Sequence, residues 1–307
     1  LPVDTWRSQS RGGRGKTGVT TREEDFIEQV FTSTNHAHIL FFTDLGRCHW
    51  LKVWKIPEAG RNSRGKAIIN LLQLLPDERP VARVCVRDFS GNRFIVMATS
   101  DGRVKKSALD MYSHPRKKGI KAIKLMENSE LVQAVMTHGE SDIVLATSSG
   151  RAIKFPEGEI RVQGRDTMGV AGMRLKANDR IVGLVAASPD DILMSVTENG
   201  YGKRTPVSEY RQTHRAGGGV INIVTDERNG SVVTISVPSA GDEILLVTLS
   251  GMVIRFRSDD VRMIGRATKG VKLMNLHKND TVSDVALLPA ELLTDEEAGT
   301  EEGNREE

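Results

Sequence analysis

An apolar run that ends in Thr-x-x-Gly recurs five times along the 307-residue chain. Each run is continuously hydrophobic, which is typical of a strand buried on both faces, and Thr-x-x-Gly then supplies the residues of a tight turn. The motif therefore predicts five β-hairpins that turn at the glycines. The five copies occupy residues 39–46, 94–102, 143–150, 192–200 and 244–251.

A second motif follows each hairpin at a nearly constant distance. It is Arg-x-x-x-Gly, followed by a segment with apolar residues at alternate positions, such as Met173 and Leu175. That alternation predicts a strand with one face turned inward. Repeats of about 50 residues with about four short strands each are typical of propeller blades. The six copies of this motif are Arg11/Gly15, Arg61/Gly65, a degenerate Pro115/Gly119, Arg165/Gly169, Arg215/Gly219 and Arg266/Gly270.

The two motifs differ in number, and this difference sets the predicted blade count. Six copies of the second motif predict an all-β, six-bladed, propeller-like ring over residues 1–290, with a first blade truncated because its hairpin is missing. Such a ring is either an open arc or is closed by another segment. The repeat units lie near 39–71, 94–125, 143–175, 192–223 and 244–276, and residues 291–307 are expected to form a disordered acidic tail.

Charge is distributed unevenly along the chain. The formal net charge is +3, but residues 291–307 carry eight acidic residues and one Arg, which leaves +10 on the preceding part. A basic body with an acidic tail is typical of nucleic-acid binders, although such a tail can also serve only solubility. Two cysteines without Cys-x-x-Cys spacing predict no thiolate metal site, and no apolar run reaches the length of a membrane span, so we expect a cytoplasmic protein.

Basic residues recur inside the hairpins. Lys106, Lys154, Arg204 and Arg255 each stand four residues after a hairpin glycine. If every blade places its hairpin at the same radius, these cations form a belt around the ring, which favours binding to duplex phosphates. With only 5% aromatic residues, the composition argues against single-strand recognition by stacking. The alternative is that these residues only solvate hairpin tips.

A glycine-rich basic segment at residues 9–18 has two interpretations. The nucleotide-binding loop Gly-x-x-x-x-Gly-Lys-Thr fits at Gly15-Lys16-Thr17, but Ser10 stands where its first glycine belongs. No strand is predicted before the segment, so its context also disagrees with an ATP site.

The second interpretation is a family resemblance. Residues 9–15 match six of seven positions of the box of gyrase A subunits, which reads Gln, Arg or Lys, Arg, Gly, Gly, Arg or Lys, Gly. Ser10 is the departure, and Lys16 lies near enough to compensate. Residues 51–59, 65–74 and 199–205 also resemble the C-terminal domain of these subunits.

The resemblance implies a six-bladed β-pinwheel, in which neighbouring blades exchange strands, and implies that duplex DNA wraps around a basic rim. The box would act as a clasp beside the first blade, and the wrap would let the holoenzyme, an ATP-dependent type II topoisomerase of two A and two B subunits, introduce negative supercoils. The implied box residues are Gln9, Ser10, Arg11, Gly12, Gly13, Arg14, Gly15 and Lys16. The expected rim residues are Arg47, Lys52, Arg61, Arg64, Lys66, Arg103, Lys105, Lys106, Lys117, Lys118, Arg151, Lys154, Arg165, Lys203, Arg204, Arg215, Arg255, Arg266 and Lys269.

Catalysis within this chain is not expected. The closest histidines, His36 and His38, have no obvious third ligand, and the three tyrosines fall inside predicted blades. We therefore expect no metal, no cofactor and no catalytic residue here. Two other interpretations remain: the equivalent domain of topoisomerase IV, and a propeller that serves as a protein-interaction scaffold.

Overall fold

The computed structural model describes residues 11–13, 16–17, 36–57 and 68–290, and almost all of its regular structure is β. Its strands are β1 (Lys16–Thr17), β2 (His38–Thr43), β3 (Arg47–Lys52), β4 (Pro80–Val86), β5 (Phe94–Thr99), β6 (Arg103–Ala108), β7 (Ile120–Lys121), β8 (Leu131–Thr137), β9 (Asp142–Thr147), β10 (Arg151–Pro156), β11 (Val170–Ala171), β12 (Ile181–Ala187), β13 (Ile192–Thr197), β14 (Tyr201–Pro206), β15 (Val220–Ile221), β16 (Val232–Ser236), β17 (Glu243–Thr248), β18 (Met252–Arg257), β19 (Val271–Lys272) and β20 (Val282–Leu288). Short 3-10 helices span Val53–Lys55, Ile68–Asn70, Leu109–Tyr112, Glu157–Glu159, Val207–Glu209 and Ser258–Asp260.

The strands form five four-stranded antiparallel sheets, which we call blades 1 to 5. From the inner to the outer edge they are β4-β2-β3-β7, β8-β5-β6-β11, β12-β9-β10-β15, β16-β13-β14-β19 and β20-β17-β18-β1. The inner strands surround a central cavity of about 440 Å³. An ion pair of 3.7 Å between Arg83 on β4 and Asp284 on β20 connects the first inner strand to the last.

Blades 1 to 4 each take their outer strand from the following repeat unit, whereas blade 5 takes its outer strand from the segment before blade 1. We call each of these outer strands the exchanged strand. In blade 2, for example, β11 pairs with β6 through Val170 and Val104. In blade 5, the exchanged strand is β1, which pairs Lys16 with Val253. The two ends of the described chain therefore meet in one sheet.

The prediction of six blades is wrong, and the exchange explains the error. Each second motif precedes an exchanged strand that completes a neighbouring sheet, so it does not count blades. The copy at Arg11/Gly15 leads into β1 and completes blade 5. The number of blades in the described residues follows the five Thr-x-x-Gly hairpins, all of which form where the sequence predicted them.

The Thr-x-x-Gly motif shapes each turn through two hydrogen bonds and a left-handed glycine. In blade 2, Gly102 N donates to Thr99 O at 3.0 Å, and Arg103 N donates to Thr99 Oγ1 at 3.3 Å. Gly102 has a φ of +88°, which favours glycine. A Cβ at this glycine would also lie 2.5 Å from Met173 O, in the unit that supplies the exchanged strand. Glycine is therefore required both by the turn and by the close approach of that second backbone.

The hydrophobic core lies between neighbouring blades. One cluster joins Val96 and Val104 of blade 2 to Ile143 and Leu145 of blade 3, and equivalent clusters join blades 1 and 2, 3 and 4, and 4 and 5. Each blade therefore depends on its neighbours for burial of its faces. None of the helices in the described part of the chain has the length and hydropathy that a membrane span requires.

Candidate nucleic-acid interface

The lysines on the third residue after the hairpin glycine are buried rather than displayed. The ammonium of Lys105 donates to Ala122 O and to Arg165 O, both at 2.6 Å. Lys203 donates to Gly265 O at 2.7 Å and to Arg266 O at 2.6 Å. Both side chains are fully buried, so neither ammonium faces solvent in this structure.

Burial also changes the acidity of these two lysines. Desolvation lowers the pKa of Lys105 to about 7, with Asp166 opposing the change and Arg165 adding to it. Desolvation lowers the pKa of Lys203 to about 8, against the opposing charge of Glu209. Removal from water disfavours the charged form of an amine.

The arginines directly after the hairpin glycine are half-buried and also bind backbone. Arg103 donates to Met168 O at 3.2 Å and Gly169 O at 3.0 Å. Arg151 repeats this geometry in blade 3, where it donates to Gly218 O at 2.9 Å and Gly219 O at 2.6 Å. In blade 1, Arg47 donates to Lys118 O. These guanidiniums therefore satisfy carbonyls of the glycine turn that precedes each exchanged strand.

The cations four residues after the glycine are held in ion pairs. Their partners are Glu157 for Lys106 at 2.8 Å, Asp142 for Lys154 at 3.8 Å, Asp259 for Arg204 at 2.8 Å, and Glu243 for Arg255. Lys106, Lys154 and Arg255 are buried. The belt predicted from the hairpin cations is thus not a free surface belt at these positions, because each cation pairs with an acid of the protein itself, and Glu157 and Glu243 are buried.

The arginines of the second motif link successive exchanged strands. Arg215 donates to Ala171 O at 3.0 Å, and Arg266 donates to Ile221 O at 2.9 Å. Arg165, Arg215 and Arg266 are all half-buried. The guanidiniums of Arg215 and Arg266 and the carbonyl of Arg165 bond to neighbouring segments of the outer edge. These three arginines are therefore only partly available to an external phosphate.

Several predicted rim residues do lie on the surface. Lys117 and Lys118 are exposed in the turn before β7. Lys52 is exposed, with its ammonium 6.0 Å from the centre of the exposed Trp54 ring. Lys269 is exposed but pairs with Asp226 at 2.5 Å.

The box is described only in part. Arg11 is exposed, Gly12 N donates to Leu273 O at 2.6 Å, and Gly13 O accepts from Asn275 N at 2.9 Å. These contacts, together with β1, place Gly12 and Gly13 at the outer edge of blade 5. Gln9, Ser10, Arg14, Gly15, the Lys16 side chain, Arg61, Arg64 and Lys66 lie outside the described residues, as does the tail 291–307.

Sequence reasoning missed one set of cations on the outer edge. Arg161, Arg211 and Arg262 are exposed, and none of their guanidiniums has a hydrogen bond or ion pair with another described residue. The residue after each arginine forms an isolated β-bridge with the second hairpin strand of the preceding blade. The bridged pairs are Val162 with Lys106, Gln212 with Lys154, and Met263 with Arg204. The three therefore occupy the same register on blades 2, 3 and 4. The available signal was an arginine eight residues before the second-motif glycine, a position that Arg7 also holds.

This edge presents positive charge at regular intervals. Three guanidiniums at equivalent register can each donate two hydrogen bonds to a phosphate. Among the described residues, no group of three or more His, Cys, Asp or Glu side chains is arranged to hold a metal ion.

Comparisons with known proteins agree with this architecture. The family profile described as DNA gyrase C-terminal domain, beta-propeller, matches residues 1–34, 37–73, 93–138, 141–188, 191–239 and 242–289. The A subunits of DNA gyrase from Staphylococcus aureus strains MRSA252 and NCTC 8325 / PS 47 are each 43% identical to this chain over 290 residues. The alignment covers 93% of this chain and 33% of each relative. The chain thus spans about a third of the length of these curated relatives.

Two solved structures resemble the fold. A DNA gyrase A C-terminal domain aligns with a TM-score of 0.85 at 23% identity, covering 94% of both chains. The C-terminal domain of DNA topoisomerase IV aligns with a TM-score of 0.74 at 26% identity, covering 88% of this chain and 85% of that one.

Proposed function

Because the chain belongs to the family of DNA gyrase C-terminal β-propeller domains, we propose that it binds duplex DNA along the outer edge of the ring. The bound duplex bends around that edge, and the sense of the bend lets a complete gyrase introduce negative supercoils. The observation that carries the proposal is the repeated placement of Arg161, Arg211 and Arg262 on successive blades.

Wrapping requires contacts on several blades. Bending a site of 20 to 30 base pairs by 40 to 90° costs on the order of 1 to 6 kcal/mol, so one basic patch is insufficient. Contacts to phosphates carry little sequence information, and each neutralised phosphate makes binding fall more steeply with salt. We therefore expect weak sequence preference and a strong salt dependence.

The partners follow from the family and extend the proposal. In a complete enzyme this domain would work in the cytoplasm with B subunits and with the remaining domains of the gyrase A chain, and cleavage and ATP hydrolysis would occur elsewhere. The topoisomerase IV alternative has less support, because that structure aligns less well than the gyrase A domain and is less identical to this chain than the gyrase A relatives.

The test is a ligation assay on a nicked plasmid, with the linking number read on a two-dimensional gel. The chain should shift the sealed plasmid toward positive supercoils. Arg161→Ala, Arg211→Ala and Arg262→Ala combined should remove the shift and reduce the slope of log binding constant against log salt by about 3. The matched control is Arg180→Ala, an exposed arginine at the mouth of the central cavity, which should change neither. An unchanged shift in the triple variant would contradict the proposed edge.

A further inference from the structure

The first and third residues after each hairpin glycine form a set that differs between blades. We call them the clamp positions, since in blade 2 both hold cations that donate to carbonyls of the loop before the exchanged strand. The pairs in blades 2 to 5 are Arg103 and Lys105, Arg151 and Ile153, Tyr201 and Lys203, and Met252 and Ile254. Blade 2 therefore has two cationic clamps, blades 3 and 4 have one each, and blade 5 has none.

The blade 4 carbonyls that face Lys203 also accept bonds from within their own loop: Thr268 Oγ1 donates to Gly265 O at 2.8 Å, and Thr268 N donates to Arg266 O at 2.9 Å. Lys203 adds a charge-assisted bond to each of these carbonyls, and such bonds are stronger than neutral ones. In blade 4, Gly265 O and Arg266 O lie against the Lys203 ammonium at 2.7 and 2.6 Å. Thr268 Oγ1 lies 3.5 Å from the same ammonium, so Lys203 alone contacts three groups of one loop.

Tyr201 does not duplicate this contact. Its hydroxyl accepts a hydrogen bond from Arg228 Nε at 3.2 Å. In blade 2, by contrast, the turn is held by Arg103 at Met168 O and Gly169 O as well as by Lys105 at Arg165 O. Lys203 is therefore the one cation at the clamp positions of blade 4. The start of the same loop is held separately by backbone bonds, since Arg204 N donates to Arg262 O at 3.3 Å and Ile264 N donates to Arg204 O at 2.9 Å.

We propose that Lys203 is a positioning residue, which fixes the loop 262–270 and thereby holds Arg262 at the outer edge for a phosphate. The inference rests on the proposed function for the role of Arg262, but the clamp itself is independent of DNA. Lys203 lies inside the blade, so it acts only through the loop.

The fold tolerates an apolar side chain at this position. Ile153 and Ile254 occupy the same place after their hairpin glycines and are buried. Lys203→Met keeps much of the side-chain volume and removes the donor, so blade 4 should stay folded in the variant.

The first measurement is amide hydrogen exchange of the whole chain without DNA. Lys203→Met should speed exchange in residues 264–272 by about tenfold, the loss expected when charge-assisted bonds to the loop are removed. Lys105→Met should speed exchange in residues 163–171 much less, because Arg103 remains. Combining Arg103→Met with Lys105→Met should then loosen that loop as well, which gives a second test in another blade.

The second measurement is duplex binding as a function of salt. Lys203→Met should weaken binding about as much as Arg262→Ala, and adding Arg262→Ala to it should have little further effect. Unchanged exchange in both loops would overturn the clamp. Faster exchange with unchanged binding would overturn the positioning role, whereas the proposed function would fail only if Arg262→Ala and its two counterparts had no effect.

Discussion

The ammonium of Lys106 lies 2.8 Å from a carboxylate oxygen of Glu157, and this buried pair joins β6 of blade 2 to the 3-10 helix after β10 of blade 3. The same carboxylate oxygen accepts from Thr137 Oγ1 at 2.7 Å, and the Phe94 ring lies 4.2 Å from the ammonium. The predicted DNA-binding residue Lys106 is thus an internal connection between two blades.

Removing one member of this pair should destabilise the ring. Lys106→Met leaves the Glu157 carboxylate buried without its counter-charge, which typically costs about 3 to 5 kcal/mol. Urea unfolding should show this loss, and adding Glu157→Gln should recover part of it. Lys121→Met is the matched control, because its pair with Asp166 at 2.8 Å is exposed and should contribute little to the free energy of unfolding. Equal losses at the two sites would contradict the connection.

A methyl group at the blade 2 hairpin turn should be poorly tolerated. Gly102→Ala forces a φ of +88° on alanine and places its Cβ 2.5 Å from Met173 O, so we expect a loss of at least about 2 kcal/mol in the free energy of unfolding. Gly158→Ala is the control, since nothing lies within 4 Å of the added carbon. If both substitutions had the same small effect in thermal unfolding, the exchanged segment would not be packed against the turn as described.

Lys203 should give the protein a specific pH dependence. Burial lowers its pKa from 10.5 to about 8, so between these values the unfolded chain binds more protons than the folded one. Stability relative to Lys203→Met should therefore rise as pH increases through this window, by a total on the order of 3 kcal/mol, and stay constant below it. Unfolding of both proteins at intervals from pH 6 to 10 measures the difference. Ile153→Met, without an ionisable group, should show no such trend, and a difference that falls with pH would refute the assignment.

The box should matter more for wrapping than for binding. Arg11→Ala, Arg14→Ala and Lys16→Ala combined remove a few cations at one point of a long edge. Affinity for duplex DNA should fall moderately, with a salt slope lower by at most about 3, while the linking-number shift on ligation should disappear. Arg87→Ala, at an exposed position after β4, serves as the control. A shift that persists in the box variant would show that the edge wraps DNA without a clasp.

Local structure was largely predictable from the sequence, whereas connectivity was not. Thr99 and Gly102 form their turn through bonds within five residues, so the motif alone located it. The strand after Gly15 pairs with Met252 and Val253 at the other end of the chain. No local pattern encodes that partner, and the blade count was wrong for this reason.

The sequence revealed which cations repeat from blade to blade, but not which of them are buried. A lysine that repeats with a hairpin period was interpreted as a surface residue, yet Lys105 and Lys203 are buried on backbone carbonyls that come from other units. Burial of that kind is determined by tertiary contacts rather than by the lysine's own neighbours in sequence. Arg161 was overlooked because it lies outside both motifs, although its register is as regular as theirs.

Strand exchange also determines the order in which the molecule can be completed during synthesis. Blades 1 to 4 each obtain their outer strand from the unit made next, so each is finished soon after its hairpin leaves the ribosome. Blade 5 is the reverse, because β1 precedes strands β2 to β18 in the chain and must wait until β18 exists. Contacts between segments so far apart in sequence form slowly. The clamp positions of blade 5, Met252 and Ile254, also provide no cation that could bind the loop before β1. Until then β18 presents an unpaired edge, which makes the last step of assembly the one most exposed to pairing with another chain.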